Sequence, residues 1–235
     1  MITHHVDQGS LEWLMLRAGI PTASEMDALV TPKFALRKGE GVLSYVDKKV
    51  AERWQGGPLP TYQGFDMDQG KILEQEAIPW YELKYDAEVK RVGFITTDDG
   101  RVGCSPDGLL GEEGIEIKCP AAHTHTGYLR KGELPDEYAI QVHASMFVTG
   151  LPRWKFLSYR RQFPPLVLTI ERDEKIQEVI AEAIANFHQL FDEGMALMTE
   201  RNGGPPRPLT PLKPMPEKKP SPAPAPAVNI DEVIP

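Results

Sequence analysis

The chain has 235 residues, 41% of them hydrophobic, enough for one full core or a core plus an appendage. A formal net charge of −8 argues against a protein that coats nucleic acid, though not against one that gathers basic residues in a single groove, because phosphate attraction acts over about one Debye length, ~8–10 Å. No stretch approaches the ~18 apolar residues of a membrane span, the N-terminus lacks the basic and apolar regions of a signal peptide, and Cys104 and Cys119 are too few for a disulfide scaffold. A reduced, cytoplasmic setting without membrane contact is expected.

Helical signals come first. Leu11, Leu14 and Met15 share one face of a predicted helix over Ser10–Ala18. Thr22-Ala-Ser-Glu25 has the spacing of a capping box and predicts a second, short helix. Val42, Val46, Val50 and Trp54 repeat at helical spacing, and a long helix is predicted over Asp66–Leu83 after the loop 56–63. Strand signals follow: an alternating run over Glu88–Thr97 ending in the turn Asp98-Asp-Gly100, then Val102–Cys104. Leu109-Leu110 and Ile115–Cys119 form the arms of a hairpin turning over 111–114, and Pro120 stops the second arm. A helix over Asp136–Val148, strands over Trp154–Tyr159 and Leu166–Glu171, and a final helix over Asp173–Met198 complete an α/β body with a mixed sheet flanked by helices.

Composition changes sharply near residue 200. Residues 205–235 hold eleven of the 22 prolines, a density that favours extended polyproline II and excludes packed helices or sheets. The expected organisation is a body over 1–200 and a flexible proline-rich tail over 201–235. The tail's end, Val228–Ile234, fits either a partner-docking peptide or a terminus with no role. Five basic against three acidic residues in the tail leave the body at −10.

The chemistry concentrates in Ser105-Pro-Asp-Gly-Leu-Leu-Gly-Glu-Glu-Gly-Ile-Glu-Ile-Lys-Cys-Pro120. Glu116 and Lys118 lie two apart on a strand and leave the same face, while Asp107 lies at the end of the neighbouring strand. Two carboxylates on adjacent strands make half of an oxygen site for Mg²⁺, and a lysine beside them can orient or help deprotonate a water attacking a phosphodiester. The pattern acid-x-Lys alone has little weight, since it occurs six times. Only the copy at 116/118 closes a hairpin whose other arm begins with Pro-Asp.

The run Ser-Pro-Asp-Gly…Ile-Glu-Ile-Lys-Cys-Pro resembles the signature of PD-(D/E)xK nucleases as written in the lambda-exonuclease and YqaJ-type viral recombinase family. Trp13–Arg17 with Ile20–Glu25, Gln69–Ala77, Ala139–Phe147 and Ile170–Lys175 resemble further motifs of that family in the same order. The resemblance implies a restriction-endonuclease-like core, Mg²⁺ as cofactor with Mn²⁺ as a substitute, and 5′→3′ degradation of one strand at the ends of double-stranded DNA. It also implies 3′ overhangs handed to a phage single-strand-annealing protein, a toroidal homotrimer, and a phage or prophage origin in a bacterial host. Asp107 and Glu116 carry over as metal ligands with the Ile117 backbone carbonyl, Lys118 as catalytic lysine, Glu74 as an acid acting through metal-bound water, and Gln141 as a helix glutamine beside the centre. Arg17, Ser24 and Ser105 match positions that hold a terminal 5′-phosphate. His143 departs from the family pattern, where a second glutamine stands.

Residues 31–41 form a basic loop in which Lys33, Phe34, Arg37 and Lys38 are candidate DNA contacts, Phe34 as a wedge or stacking ring. His4-His5 and His123-Thr-His125 lack the cysteine or carboxylate company of a zinc site and are expected to be exposed or near DNA. Two rival functions share the fold: an endonuclease of restriction or repair type, and a non-catalytic DNA-end-binding recombination protein.

Overall fold

A computed structural model describes residues 1–60 and 65–205; the side chains of residues 65–72 and 74, and the segment 206–235 with most of the proline-rich tail, lie outside the described residues. The elements in order are β1 (Ile2–His4), α1 (Leu11–Arg17), a 3₁₀ helix (Ala23–Ala28), α2 (Glu40–Gln55), α3 (Phe65–Tyr85), β2 (Phe94–Thr96) and β3 (Gly103–Cys104). They continue with β4 (Gly108–Leu110), β5 (Glu113–Lys118), α4 (Ala122–Lys131), α5 (Asp136–Thr149), β6 (Arg153–Ser158), β7 (Leu166–Glu171) and α6 (Glu174–Asn202). The fold is mixed α/β, as the order of signals implies. The strands form two sheets, an antiparallel β1-β2-β3 and a mixed β4-β5-β6-β7 in which only β5 and β6 run parallel. Parallel neighbours need a long crossover, and α4 with α5 supplies it.

The alternating run 88–97 is where one strand was expected and two partnerships were found. Lys90 bridges to Leu109 at the edge of the mixed sheet, while Phe94–Thr96 pairs with β1 and β3. The chain passes from one sheet to the other between them, so its alternation serves two surfaces. Helix α4 had no sequence forecast, because its apolar positions are few. It is held by Tyr128 and by His125, which is fully buried and bonded to Ser158 Oγ at 2.8 Å and to the Pro164 carbonyl at 2.9 Å. His125 is therefore a core histidine rather than an exposed or DNA-proximal one.

Helix α5 is apolar on two opposite sides, the mark of a helix buried between layers. Ile140, Ala144 and Val148 join the core formed with the 3₁₀ helix, α2, α6, β2 and β3. Val142 and Met146 instead pack on Trp154 and Phe156 of β6. The other face of the mixed sheet, through Ile115, Ile117 and Leu157, is covered by Ala77, Ile78 and Tyr81 of α3. Strand β5 is thus enclosed from both sides.

The hairpin forms, with a tighter turn than expected. Leu110 pairs with Glu113 across the two residues Gly111 and Glu112, so Glu113 and Gly114 belong to β5. Gly114 is dictated by packing: a Cβ there would come within 2.3 Å of the Trp154 ring. Gly114→Ala is expected to lower stability by about 3 kcal/mol, since neither the strand nor the buried indole can retreat cheaply; urea unfolding of the variant against wild type measures it.

Candidate active site

Asp107 stands one residue before β4 and is fixed by two backbone bonds. Its amide donates to the Ile115 carbonyl at 3.2 Å, and its Oδ2 accepts from the Ile117 amide at 2.5 Å. The N–H and C=O of a strand residue leave the same edge, so the Ile117 carbonyl also faces the Asp107 side of β5. Glu116 and Lys118 leave β5 on the face covered by α5, with Phe156 the register neighbour of Glu116.

Glu116 is only 3% exposed. Its Oε1 takes two strong contacts at 2.6 Å, from Lys118 Nζ and from Gln141 Nε2 on α5. Its Oε2 is buried with no partner among the described residues. Burial alone would depress the Lys118 ammonium, but the Glu116 and Asp107 carboxylates outweigh it and the pKa is raised. Lys118 is therefore a charged donor in this arrangement rather than a ready base. Cys104 lies behind the site, its thiol pushed far up by burial with Glu116 adding to the effect, and it stays protonated.

The donor set suits a hard divalent cation. An ionised carboxylate with one buried oxygen unsatisfied is costly unless a cation completes it. Asp107, Glu116 and the Ile117 carbonyl offer oxygens only, leaving the remaining positions to water, as Mg²⁺ prefers. Among the described residues no three His, Cys, Asp or Glu side chains cluster for a metal. Glu74 lies on α3, its side chain outside the described residues. Its neighbour Glu76 is engaged elsewhere, forked by Arg161.

A second group assembles beside the acids. Arg17 donates to Ser105 Oγ (3.3 Å), Thr22 Oγ1 (3.3 Å) and Ser24 Oγ (3.1 Å), and its guanidinium lies 4.3 Å from the Trp13 ring. Trp13 Nε1 donates to the same Ser105 Oγ at 2.8 Å. Desolvation by burial lowers the Arg17 pKa, opposed by the charges of Glu25 and Glu52, and an arginine remains cationic throughout. Thr22 does not cap the following 3₁₀ helix as its capping-box spacing implies. Its hydroxyl instead turns to Arg17 and donates to Glu25 at 3.2 Å. Arg17 and Asp107 line one cleft of about 1010 Å³, together with Trp13, Glu25, Lys48 and Arg91.

The loop 31–41 is folded onto the body. Phe34 packs against the core and meets His143 edge-on at 5.5 Å, so its ring is not available as a wedge or stacking surface. Arg37 is bonded to the Asp27 carbonyl, while Lys33 and Lys38 remain exposed. Sequence reasoning missed Trp13 as the partner of Arg17 and Ser105, and Tyr138, whose ring lies 4.9 Å from Lys118 Nζ. Helical spacing signalled both: Trp13 is four residues before Arg17, and Tyr138 three before Gln141.

A family profile described as the YqaJ-like viral recombinase domain matches residues 12–152, a span that includes Arg17, Ser24, Ser105, Asp107, Glu116, Lys118 and Gln141. The chain belongs to this family. Two crystal structures of LHK-Exo, an alkaline exonuclease from Laribacter hongkongensis, one of them in complex with dAMP, superpose on the YqaJ-like chain with TM-scores of 0.73 and 0.72 at 28% identity, covering 83% of this chain and 99% of theirs. A phage-related exonuclease from Haemophilus somnus 129PT shares the fold at a TM-score of 0.54 and 17% identity, covering 84% of this chain and 97% of its own. No curated protein sequence matches significantly. No helix among the described residues of the YqaJ-like chain is long and apolar enough to cross a membrane.

The cleft wall behind Arg17 carries its own charge balance. Lys49 is buried between Glu25 (2.8 Å) and Glu52 (3.1 Å), and Lys48 reaches Glu25 at 2.6 Å. Burial would push the Glu25 carboxyl up, but the two lysines reverse this and bring it down to about 2. A carboxylate depressed from 4.5 to about 2 stabilises the fold above pH 4.5 and loses that contribution as pH falls toward 2. Glu25→Gln is expected to cost about 2 kcal/mol at pH 7, the gap to wild type narrowing below pH 4.5; urea unfolding across that range is the check.

Proposed function

We propose that the chain is a Mg²⁺-dependent exonuclease that degrades one strand of linear double-stranded DNA from its 5′ end, leaving 3′ single-stranded overhangs. The observation that carries this is the shared cleft: Asp107, beside the buried Glu116–Lys118 pair, lines the same space as a guanidinium held by hydroxyls. The family and the LHK-Exo likeness support a nuclease serving recombination.

In this proposal Asp107, Glu116 and the Ile117 carbonyl hold the metal, with Glu74 acting through water. When bound, Mg²⁺ would acidify a coordinated water and screen the phosphate charge, with Mn²⁺ able to substitute. Gln141 keeps Glu116 in one rotamer by donating to Oε1. Lys118, as a charged donor, aligns the attacking water and steadies the charge developing on the phosphate oxygens. Arg17, Ser24 and Ser105 receive a terminal 5′-phosphate, whose two negative charges suit a cation held by hydroxyls and a ring. Lys33 and Lys38 stand as exposed candidates for the DNA backbone. A homotrimeric ring around the duplex, a phage single-strand-annealing partner, and action in the cytoplasm of a bacterial host complete the proposal, on family resemblance.

Digestion of linear duplexes labelled at one end or the other tests direction and metal need together. Nucleotides should come from the 5′-phosphorylated end only with Mg²⁺, and Asp107→Ala or Lys118→Ala should slow release at least about 10³-fold while duplex binding persists. Ready cleavage of a covalently closed circle would favour an endonuclease, and an inert wild-type protein would favour a non-catalytic end-binder. Arg17→Ala should cut the preference for 5′-phosphate over 5′-hydroxyl ends by about tenfold or more, read as the ratio of initial rates; an unchanged ratio removes the phosphate role.

A further inference from the structure

Lys118 is carried on a long, rotatable stem at the front of β5, and its position is set by more than the acids. Its Nζ lies 4.9 Å from the centre of the Tyr138 ring. Tyr138 is in the first turn of α5, three residues before Gln141, so the two project to one side of that helix. One reaches Lys118 and the other reaches Glu116. The tyrosine is braced from behind. Its ring stacks on Phe156 at 5.5 Å and 30°, and Phe156 is fully buried beside Glu116 in the sheet. The Tyr128 ring meets it edge-on at 6.3 Å, and the Tyr128 hydroxyl donates to Glu137, the residue before Tyr138.

We propose that Tyr138 is a positioning residue for the reaction, its ring face holding the Lys118 ammonium at the front of the acidic centre. The inference rests on the reading of Lys118 as the catalytic lysine. An ammonium has three N–H donors, and here one is committed to Glu116 Oε1. A second carboxylate or amide as anchor would occupy another. The negative face of an aromatic ring attracts the same charge without taking a donor. Two N–H groups therefore remain for the attacking water and a phosphate oxygen. Without the ring, the four-carbon stem regains rotamers that carry the ammonium out into the cleft.

The test compares Tyr138→Phe, which keeps the ring face, with Tyr138→Leu, which removes it. On 5′-phosphorylated linear duplex with Mg²⁺, Tyr138→Leu should lower kcat by about tenfold with KM within about twofold, while Tyr138→Phe stays within about twofold of wild type. The geometry is read separately by NMR of the metal-free protein. The Lys118 ε-methylene protons should show an upfield ring-current displacement in wild type and Tyr138→Phe that disappears in Tyr138→Leu. Should the leucine variant fail to fold, Tyr138→Met carries the same expectations. A ringless variant with wild-type kcat, or with a raised KM alone, overturns the proposal, as does a phenylalanine variant as slow as the leucine one. If the wild-type protein released no nucleotides, the nuclease reading would fall. Absence of the ring-current displacement from wild type would then overturn the Tyr138–Lys118 contact on its own.

Discussion

The structure depends on one costly placement, an ionised carboxylate in the middle of an enclosed strand. Glu116 is almost fully buried between the sheet and α5, where an isolated charge is costly. Lys118 and Gln141 satisfy one of its oxygens, and the other has no partner among the described residues. The surroundings follow from that demand. Strand β5 must be central so that Glu116 is shielded, α5 must carry an amide at the right height, and Asp107 must be pinned by the backbone of the same strand. A carboxylate held this way keeps its charge inside the fold through one ammonium and one amide.

The two cations deepest in the cleft wall are treated in opposite ways. Lys49 is neutralised by Glu25 and Glu52, with the Gly19 amide donating to Glu52 at 3.0 Å, so its charge is spent inside the fold. Arg17 has hydroxyls and an indole face where Lys49 has carboxylates. Hydroxyls can turn to donate to an incoming anion, whereas carboxylates would repel it. The same wall thus separates a charge neutralised by carboxylates from one held by hydroxyls, even in a chain whose net charge is strongly negative.

Local patterning made much of this visible. The strand phase of Glu116 and Lys118, with Pro106-Asp107 opening the other hairpin arm, brings three residues together on local pattern alone. Helical spacing gave α1, α2, α5 and α6 close to their observed limits. What escaped detection depended on contacts distant in sequence. Helix α4 has too little apolar periodicity to be seen, and its anchor, His125, is explained by Ser158 and Pro164 more than thirty residues away. The run 88–97 alternates like one strand because each half satisfies a different sheet. Phe34 looked like a free aromatic in a basic loop, and only the tertiary fold shows the ring turned onto His143, the position where the family pattern itself departs. Thr22 has the spacing of a cap, but its hydroxyl bonds Arg17 and Glu25 instead.

Helix α5 has a consequence for how this protein tolerates change. It is packed on two sides, by separate cores, and carries on its remaining surface the groups that touch Glu116 and Lys118. A rigid body clamped in this way transmits small volume changes instead of absorbing them. An enlarged or trimmed side chain at Ala144 or Val142, both fully buried, would tilt the amide and the ring by a fraction of an ångström. Such drift is enough to impair a reaction that depends on near-attack geometry while the chain still folds. The interior of α5 is therefore under two selections at once, one for packing and one for aim, and the second is the stricter.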